Sequence, residues 1–233
     1  MKTALVTGAN RGIGRAFVEN LESQGYKVYA GMRDIQKSNF KSSSIIPLFL
    51  DVTDDTSIMN AAKVLSNDDN VLNLIINNAG VDKQAATDAH PERVSDLASL
   101  DRKAMLHMFD VNSIGPILIA KHFLRFMTEL GGFIVNISSC RASFHDEIKE
   151  PAGSYGYTAS KIALNMLTKC LVSDLPDHIS TFAVHPGLVK SDMVPRGNVE
   201  PKEAVEAILK IISKWDPKNN GAFLRFDGTR YPL

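Results

Sequence analysis

Short apolar runs alternate with helix-length amphipathic segments along the chain, and this alternation is the feature that most constrains its fold. The apolar runs are TALVT (3–7), KVYAG (27–31), IIPLFL (45–50), VLNLII (71–76), GFIVNIS (132–138), ISTFAVH (179–185) and AFLRF (222–226). Most carry apolar residues at consecutive positions, which is typical of strands covered on both faces. Segments such as 162–175 and 203–215 have apolar residues at helical spacing. The sequence therefore predicts an α/β fold, a doubly wound parallel sheet of about seven strands with helices on both faces.

Length and composition bound the organisation and the class of the protein. A chain of 233 residues fits one α/β domain, and no repeat or low-complexity tract divides it, so we predict a single domain over residues 1–233. Lys and Arg total 26, as do Asp and Glu, and this balance argues against a protein that binds nucleic acid or a membrane surface. Cys140 and Cys170 are too few for a disulfide framework. Because the sequence shows no secretory signal and no apolar stretch of membrane-spanning length, we expect a cytoplasmic protein.

A glycine-rich stretch, TGANRGIG (7–14), follows the first apolar run and opens the first helical pattern. Gly8, Gly12 and Gly14 would allow a tight turn and let backbone N–H groups approach a pyrophosphate at the helix N-terminus. The spacing G-x-x-x-G-x-G differs from the G-x-G-x-x-G fingerprint, and glycine also serves ordinary strand–helix turns. Its place after the first strand of an alternating chain favours a nucleotide site.

Tyr157 and Lys161, in the segment SYGYTASK (154–161), stand one turn apart on the same face of a predicted helix. A lysine cation close to a tyrosine favours the phenolate, so we predict that Lys161 lowers the pKa of Tyr157 toward the range of a general acid/base. A tyrosine and a lysine also occur at this spacing by chance on solvated faces, so the pair alone decides nothing.

Further polar groups are expected near that pair, at the carboxyl edge of the sheet, where ligands of open α/β sheets bind. Ser138 and Ser139 stand at the end of a predicted strand, and a hydroxyl there could polarise a substrate carbonyl. NNAG (77–80) closes another run, and Asn112 interrupts a helical stretch in which an amide is a poor helix former. Each also has an ordinary interpretation, as a strand-end cap, a turn and a solvated position respectively.

Together these motifs resemble the short-chain dehydrogenase/reductase family over essentially the whole chain. TGANRGIG resembles its cofactor loop, DVTD (51–54) its adenine-contacting segment, and HPGLVKSDM (185–193) its nicotinamide-contacting turn. NNAG, VNSIG (111–115), NISS (136–139) and YTASK (157–161) resemble its other motifs in the same order. Within the family, HPGLVKSDM, ALNMLTK and the final residues are most similar to Sniffer and C-factor-like carbonyl reductases. The resemblance implies a Rossmann-type fold and an oxidoreductase that uses NAD(P)H.

The resemblance also implies roles for individual residues. Tyr157 would protonate the alkoxide formed when hydride reaches a carbonyl carbon, and Ser139 would orient the carbonyl oxygen. Lys161 would lower the tyrosine pKa and hold the ribose hydroxyls, and Asn112 would anchor a water of the proton relay. The residues that the resemblance places against the cofactor are Gly8, Asn10, Arg11, Gly12, Ile13, Gly14, Arg33, Asp51, Val52, Asn78, Ala79, Gly80, Tyr157, Lys161, Pro186, Gly187, Val189 and Ser191.

Cofactor preference depends on the end of the second apolar run, YAGMRD (29–34). An NAD enzyme places an acid near there to accept the ribose 2′-hydroxyl bonds. This chain has Arg33 instead, and Arg11 in the glycine loop is a second cation aimed at the same position. Since guanidinium groups suit a 2′-phosphate, we expect NADP(H) to be preferred, with NAD(H) possible. Asp34 argues the other way if it, rather than Arg33, faces the ribose.

Three segments depart from the common pattern of the family. The interval from Ser139 to Tyr157 is longer than usual, and its residues 140–154 predict a surface loop near the substrate mouth, of the kind that can act as a lid. The stretch from Lys190 to Pro201 is short, so the pocket is expected to be open on that side or completed by a neighbouring subunit. Between Arg33 and Ile45 we expect the usual helix to be reduced to a turn.

Other reactive side chains have weaker interpretations. Cys140 could serve as a redox switch, although free cysteine is more often a small buried filler. His145 is expected to be solvated and His185 to be part of a strand end. The spacing of Cys, His and carboxylate residues predicts no metal site.

Two functions are compatible with these interpretations. The first is an NADPH-dependent carbonyl reductase acting on a small-molecule carbonyl or alcohol. The second is a cofactor-binding signalling or sensor protein with little turnover, which the fold alone would permit. The complete set of Asn112, Ser139, Tyr157 and Lys161 favours the enzyme. We also expect a homo-oligomer, a dimer or tetramer, associated through the helices that begin near Met105 and Tyr157.

Overall fold

Seven strands form one parallel sheet in a computed structural model that describes residues 1–66, 71–82, 97, 100–145 and 155–232. The strands are β1 (Thr3–Thr7), β2 (Lys27–Met32), β3 (Ile45–Phe49), β4 (Leu74–Asn77), β5 (Gly132–Ile137), β6 (Ile179–His185) and β7 (Phe223–Arg225). Their order in the sheet is β3-β2-β1-β4-β5-β6-β7, and each neighbouring pair is parallel. The predicted α/β sheet of about seven strands is confirmed.

Helices cover both faces of this sheet, as its buried strands require. The helices are α1 (Gly12–Ser23), α2 (Asp55–Ser66), α3 (Arg102–Phe109), α4 (Gly115–Phe123), α5 (Tyr155–Leu171) and α6 (Pro201–Ser213). One core lies between the sheet and helices α1 and α6, with Phe17 and Ile208 fully buried. The other lies between the opposite face and helices α2 and α4, with Ile58 and Phe123 fully buried. This arrangement is the predicted Rossmann-type one.

The element boundaries differ from the predicted ones where local bonds intervene. The fourth strand begins at Leu74 rather than at residue 71, because the backbone of Leu72 is bonded to Phe126 and Thr128 before the chain joins β1. Helix α6 starts at Pro201, where the missing N–H of proline is not needed. The expected turn between Arg33 and Ile45 is confirmed as one 3₁₀ turn, Ile35–Lys37.

No helix within the described parts of the chain combines the length and the apolar character needed to cross a membrane.

Candidate active site

The candidate site lies along one edge of the sheet, where the parallel strands end. Pairing of Val6 with Ile76 aligns the ends of β1 and β4. Pairing of Asn77 with Asn136, and of Ile137 with Val184, extends the same edge through β5 and β6. The glycine loop, NNAG, the serines and the turn after β6 therefore follow neighbouring strands, where the sequence placed them.

Close packing explains the glycines of the loop between β1 and α1. Gly8 has a φ of 64°, and a Cβ there would lie 2.9 Å from the Cα of Ala79. A Cβ on Gly14 would lie 2.2 Å from the Gly8 carbonyl oxygen and 2.4 Å from Nδ2 of Asn78. Side chains at these positions would displace backbone, so the loop keeps its shape only with glycine.

The start of α1 fits an anionic group of a cofactor. Arg11 occupies the N-cap in an extended conformation and makes no side-chain bond to the first turn. The first N–H groups of a helix have no intrahelical acceptor, and the helix dipole favours negative charge beside them. Gly12, Ile13 and Gly14 supply this turn, so the loop suits a dinucleotide pyrophosphate.

The NNAG segment is fastened to the glycine loop by hydrogen bonds. The hydroxyl oxygen Oγ1 of Thr7 accepts bonds from the backbone N–H groups of Asn78 and Ala79, each at 3.0 Å. Nδ2 of Asn78 donates to the carbonyl oxygens of Thr7 at 3.0 Å and Gly8 at 3.1 Å. A Cβ on Gly80 would lie 3.7 Å from Nζ of Lys161, so NNAG also reaches the predicted catalytic pair.

Asn112 is fully buried, and its side chain links three elements. Its Oδ1 accepts from the backbone N–H of Val81 at 2.8 Å, and its Nδ2 donates to the Val81 carbonyl at 2.8 Å and to Oγ of Ser160 at 3.0 Å. The helical stretch predicted around it is a π-turn, Asp110–Ile114, between α3 and α4. Both amide hydrogens are used in this linkage, so the side chain fixes NNAG to α5.

Ser139, Tyr157 and Lys161 meet where β5 ends against α5. Lys161 is 5% exposed, donates from Nζ to the carbonyl oxygen of Ile137 at 2.7 Å, and lies 5.9 Å from the ring centre of Tyr157. Ser139 is buried, and its hydroxyl is hydrogen-bonded to the Tyr157 phenol. The Oγ of Ser139 also accepts from the backbone N–H of Arg141 at 3.2 Å.

The ionisation of this pair differs from the sequence-based expectation. Burial raises the pKa of Tyr157 to about 12, and its hydrogen bond with Ser139 is the first influence that opposes the rise. Burial also lowers the pKa of Lys161 to about 8, against the opposing charge of Asp82. The prediction that Lys161 lowers the pKa of Tyr157 is wrong here, because Lys161 is not among the groups that shift this pKa and desolvation sets its direction. Near neutral pH the phenol keeps its proton.

The charged residues expected to select the cofactor occupy distinct positions. Arg33 is exposed after β2. The carboxylate of Asp34 accepts from the backbone N–H of Gln36 at 3.1 Å and lies 3.0 Å from Nζ of Lys37, whose hydrogen bond lowers the Asp34 pKa. Asp34 is thus occupied in closing its own turn.

Arg11 does not stand alone beside the groove. Its Nη1 lies 2.6 Å from Oδ2 of Asp192, which belongs to the turn after β6. Both side chains are mostly exposed. The sequence indicated Arg11 as a phosphate-binding cation but gave no sign of this partner, which is 181 positions away.

The remaining predicted cofactor residues shape the ends of β3 and β6. Asp51 closes a turn by accepting from the N–H and Oγ1 of Thr53, and Val52 is buried against Gly115, where a Cβ would lie 2.9 Å from that of Val52. Asn10 is exposed in the glycine loop. After β6, Pro186 and Val189 are buried, Gly187 has a φ of 89°, and a Cβ on Gly12 would lie 3.8 Å from that of Ser191.

Two buried hydrogen-bonded groups behind the site were missed. Asn77 donates to Oδ1 of Asn136 at 2.8 Å, and Asn136 donates to Oγ1 of Thr168 at 2.9 Å. Ser138 donates to Oδ1 of Asn165 at 2.7 Å. An asparagine inside the apolar run GFIVNIS was the available signal, because a buried amide needs partners. These bonds hold β5 and α5 together directly behind Ser139 and Lys161.

Several weaker expectations have mixed outcomes. Residues 146–154 of the predicted lid lie outside the described residues, so the lid stays a prediction. Cys140 is half-buried and Cys170 exposed, and both are free thiols. His145 is exposed, whereas His185 meets the Tyr231 ring edge-on at 5.7 Å. No group of three His, Cys, Asp or Glu residues among those described could hold a metal ion, and the absence of a metal stays a prediction.

Comparison with known proteins identifies the family. The sequence model of the short chain dehydrogenase family matches residues 2–202. The chain belongs to this family. The structure is similar to an NADPH-bound carbonyl reductase from chicken fatty liver, with 32% identity, a TM-score of 0.88, and coverage of 100% of this chain and 99% of that one.

Two further relatives agree with the narrower resemblance of this short-chain dehydrogenase. The carbonyl reductase Sniffer of D. melanogaster has 27% identity and a TM-score of 0.87, and each chain is covered over 100% of its length. C-signal of Myxococcus xanthus is 28% identical over 165 residues, which are 69% of this chain and 92% of that protein.

Proposed function

We propose that this short-chain dehydrogenase reduces a small-molecule carbonyl compound to an alcohol with NADPH. The observation that carries the proposal is the meeting of Ser139, Tyr157 and Lys161 beside a glycine loop suited to a pyrophosphate. Two similar structures are carbonyl reductases, and one of them is described as NADPH-bound.

The proposed chemistry needs an acid next to the carbonyl oxygen. The bound cofactor would supply a hydride to the carbonyl carbon, and the oxygen would gain negative charge. Tyr157 would donate its proton to that oxygen, and its pKa of about 12 keeps the phenol protonated until the more basic alkoxide forms. Ser139, hydrogen-bonded to the phenol, would hold the oxygen beside it.

Lys161 is proposed to bind the cofactor ribose. An ammonium has three N–H donors, and the Ile137 carbonyl takes one of them. The donors that point away from Ile137 would be available to ribose hydroxyls. With a pKa of about 8, Lys161 remains mainly charged at neutral pH, which strengthens such bonds. Asn112 would hold NNAG against α5 and so keep Lys161 in register with the groove.

The preference for NADPH over NADH is proposed from the charges near the ribose. Arg33 is exposed at the end of β2, and Asp34, the competing acid, is engaged with Lys37 and Gln36. Because charged hydrogen bonds contribute about 1.5–3 kcal/mol, Arg33→Ala should raise the Kd of NADPH roughly tenfold or more. The Kd of NADH should change by less than about twofold. A wild-type preference for NADH in kcat/KM would contradict the assignment.

The decisive experiment follows cofactor absorbance with a panel of aldehydes, ketones, quinones and diketones. Tyr157→Phe should lower kcat about 10²–10⁴-fold while NADPH binding is retained, since only one hydroxyl is removed. Tyr155→Phe is the matched control, because Tyr155 lies two residues away and is 44% exposed. A Tyr157→Phe variant with more than a tenth of wild-type kcat would exclude Tyr157 as the acid.

The alternative of a binding protein without turnover is less well supported. The similarity to C-signal motivates it. A protein that only binds a cofactor, however, has no need for a tyrosine hydrogen-bonded to a serine beside a buried lysine.

The free thiols of Cys140 and Cys170 suit a reducing compartment, so we propose a cytoplasmic enzyme.

A homo-oligomer, a dimer or tetramer, is also proposed. Leu106 on α3 and Met166 on α5 are 61% and 58% exposed, and these two helices lie side by side, with Gly156 against Met105 and Met108. Exposed apolar groups on adjacent helices suit an interface between copies.

A further inference from the structure

Residues 229–232, here called the return segment, fold back over the carboxyl ends of β6 and β7. Leu224 and Arg230 form an antiparallel bridge, and the backbone N–H of Tyr231 donates to the Phe223 carbonyl at 2.8 Å. The Tyr231 ring stacks on that of Phe223, with ring centres 4.9 Å apart, and the Arg225 guanidinium lies 4.7 Å from its centre. Tyr231 is only 7% exposed. Tyr231 is therefore the buried anchor of the return segment, whereas Thr229, Arg230 and Pro232 are exposed.

The return segment contacts the segment that immediately follows Ser139. Tyr231 belongs to a buried cluster with Ala142, Ala183 and Phe223, and Cys140 and Ile162 pack against that cluster. Cys140 and Ala142 begin and end the 3₁₀ turn after Ser139, and Ile162 is the neighbour of Lys161. One cluster thus joins the segments that carry the proposed catalytic side chains.

A hydrogen bond fixes the other end of the same contact. The hydroxyl of Ser143, one residue beyond the 3₁₀ turn, donates to the carbonyl oxygen of Pro232 at 2.6 Å. The bonds inside the turn are local: the N–H of Ala142 donates to the Ser139 carbonyl, and that of Ser143 to the Cys140 carbonyl. Such local bonds shape the turn but cannot place it relative to α5. The Ser138–Asn165 bond fixes the chain just before the turn, and the packing of Ala142 with the bond from Ser143 to Pro232 fixes its far end.

We propose that Tyr231 and the Ser143–Pro232 hydrogen bond are positioning elements of the active site, which hold the Cys140–Ala142 turn so that Ser139 stays beside Tyr157. The inference rests on the proposed reductase function for its kinetic consequence. A displacement of about 1 Å in a reacting group can cost up to about 10² in rate. The aromatic ring of Tyr231 fills the space under Ala142, so its removal should let the turn sink and draw Ser139 away from the phenol.

The kinetic test compares Tyr231→Ala with Tyr231→Phe. Tyr231→Ala should lower kcat about tenfold or more. The Kd of NADPH should change by a smaller factor than kcat, because the glycine loop is untouched and Tyr231 reaches the turn after β6 only through its contact with His185. Tyr231→Phe keeps the ring and should retain kcat within about threefold. Ser143→Ala removes the bond to Pro232 and the local acceptor of the His145 N–H, and it should lower kcat about two- to fivefold. Tyr26→Ala, an aromatic deletion just before β2 and far from β7 in the sheet, is the control and should leave kcat unchanged at a temperature where it is folded.

The pH dependence gives a readout that simple loss of stability does not move. Burial is the main cause of the raised Tyr157 pKa; the Ser139 hydrogen bond opposes it, Asp82 and Cys140 add to it, and Arg141 opposes it. If Tyr231→Ala displaces Ser139, the pH profile of alcohol oxidation, which requires the phenolate, should shift to higher pH. Tyr26→Ala should keep the wild-type profile.

A thiol-labelling experiment tests the same contact without any turnover. In a Cys170→Ser background, Cys140 is the single thiol, and its labelling by an aromatic disulfide reports opening of the turn. Tyr231→Ala should accelerate labelling about tenfold or more, and Tyr26→Ala should not. If Tyr231→Ala accelerates labelling but the wild-type protein shows no reductase turnover, the proposed function is rejected. The proposed contact between Tyr231 and the turn after Ser139 is still supported.

The proposal is overturned if Tyr231→Ala lowers the melting temperature but leaves the active site unchanged. In that case kcat and the Cys140 labelling rate stay within twofold of wild type, and the pH profile of alcohol oxidation does not shift. If Tyr231→Ala does not fold, Tyr231→Leu and Ser143→Ala carry the same comparison, and unchanged kcat and labelling in both would reject it.

Discussion

A lysine ammonium loses its hydration when it is buried, and Lys161 is only 5% exposed. Folding lowers its pKa from 10.5 to about 8, so between these values the native state binds fewer protons than the unfolded chain. The free energy of unfolding should therefore rise with pH across that interval. The destabilisation caused by burying the charged Lys161 is fully present below pH 8. Activity and stability make opposite demands on this residue.

Lys161→Met should consequently lose turnover and weaken cofactor binding without losing stability. We expect its free energy of unfolding at pH 7 to be no lower than that of wild type, and up to about 1–3 kcal/mol higher, because the buried charge is gone. Urea titrations from pH 7 to 10 should show the rise with pH in wild type and not in the variant. Lys169→Met, an exposed change on the same helix, should behave as wild type. A variant less stable by several kcal/mol would show that the bond to Ile137 dominates.

The ion pair between Arg11 and Asp192 leads to a prediction about cofactor affinity. An exposed pair is weak, but it occupies the guanidinium that a 2′-phosphate would use. Asp192→Asn should lower the Kd of NADPH about two- to fivefold and leave that of NADH unchanged. Asp177→Asn, also exposed, changes net charge equally and is the control. Equal weakening of both cofactors would instead assign Asp192 to holding the turn over the glycine loop.

At the residue scale, the sequence predicted which side chains meet but not how they ionise. Tyr157 and Lys161 are local on a helix, and Ser139 follows a strand that the apolar pattern located. The upward shift of the Tyr157 pKa depends on burial and on Asp82, and the spacing of residues along a helix gives no information about either. Asp192 was missed for the same reason, since its partner is remote in sequence.

Between elements, the amide and hydroxyl chain Asn77–Asn136–Thr168 ties β4 to β5 and β5 to α5. Asn136 is fully buried, and its replacement by Ala would leave Nδ2 of Asn77 with only the Pro116 carbonyl and Oγ1 of Thr168 without its donor. Because an abandoned buried polar group costs about 1–3 kcal/mol, Asn136→Ala should lower the free energy of unfolding by about 2–4 kcal/mol. Denaturant titration measures this. Ser213→Ala, exposed at the end of α6, should stay within about 0.5 kcal/mol of wild type.

The elements themselves were largely predictable from short-range patterns. Each apolar run became a strand with ends shifted by a few residues at most, because burial on both faces selects such runs. The π-turn at Asn112 was not predicted, since it depends on Val81 and Ser160. The return segment was not predicted either, because the packing of Tyr231 depends on residues from β6, β7 and the turn after Ser139.

For the whole molecule, the proposed association through α3 and α5 predicts its mass in solution. Light scattering at micromolar concentration should give a dimer or tetramer. Met166→Glu combined with Leu106→Glu should shift it to the monomer, because charges would be buried in the interface. Met59→Glu, on α2 and 42% exposed, is the control and should leave the mass unchanged. A monomeric wild type would end the proposal.

The order of the strands has a consequence for how the chain is made on the ribosome. β2 joins β1, β3 joins β2, and β4 then joins the opposite side of β1, after which β5, β6 and β7 each join the strand made just before. Each strand therefore pairs with an edge of the sheet that has already formed. No existing strand pair has to separate so that a later strand can be inserted. The half of the sheet that carries the glycine loop can therefore assemble first. The last strand, β7, is followed by the return segment, which packs against the turn after Ser139.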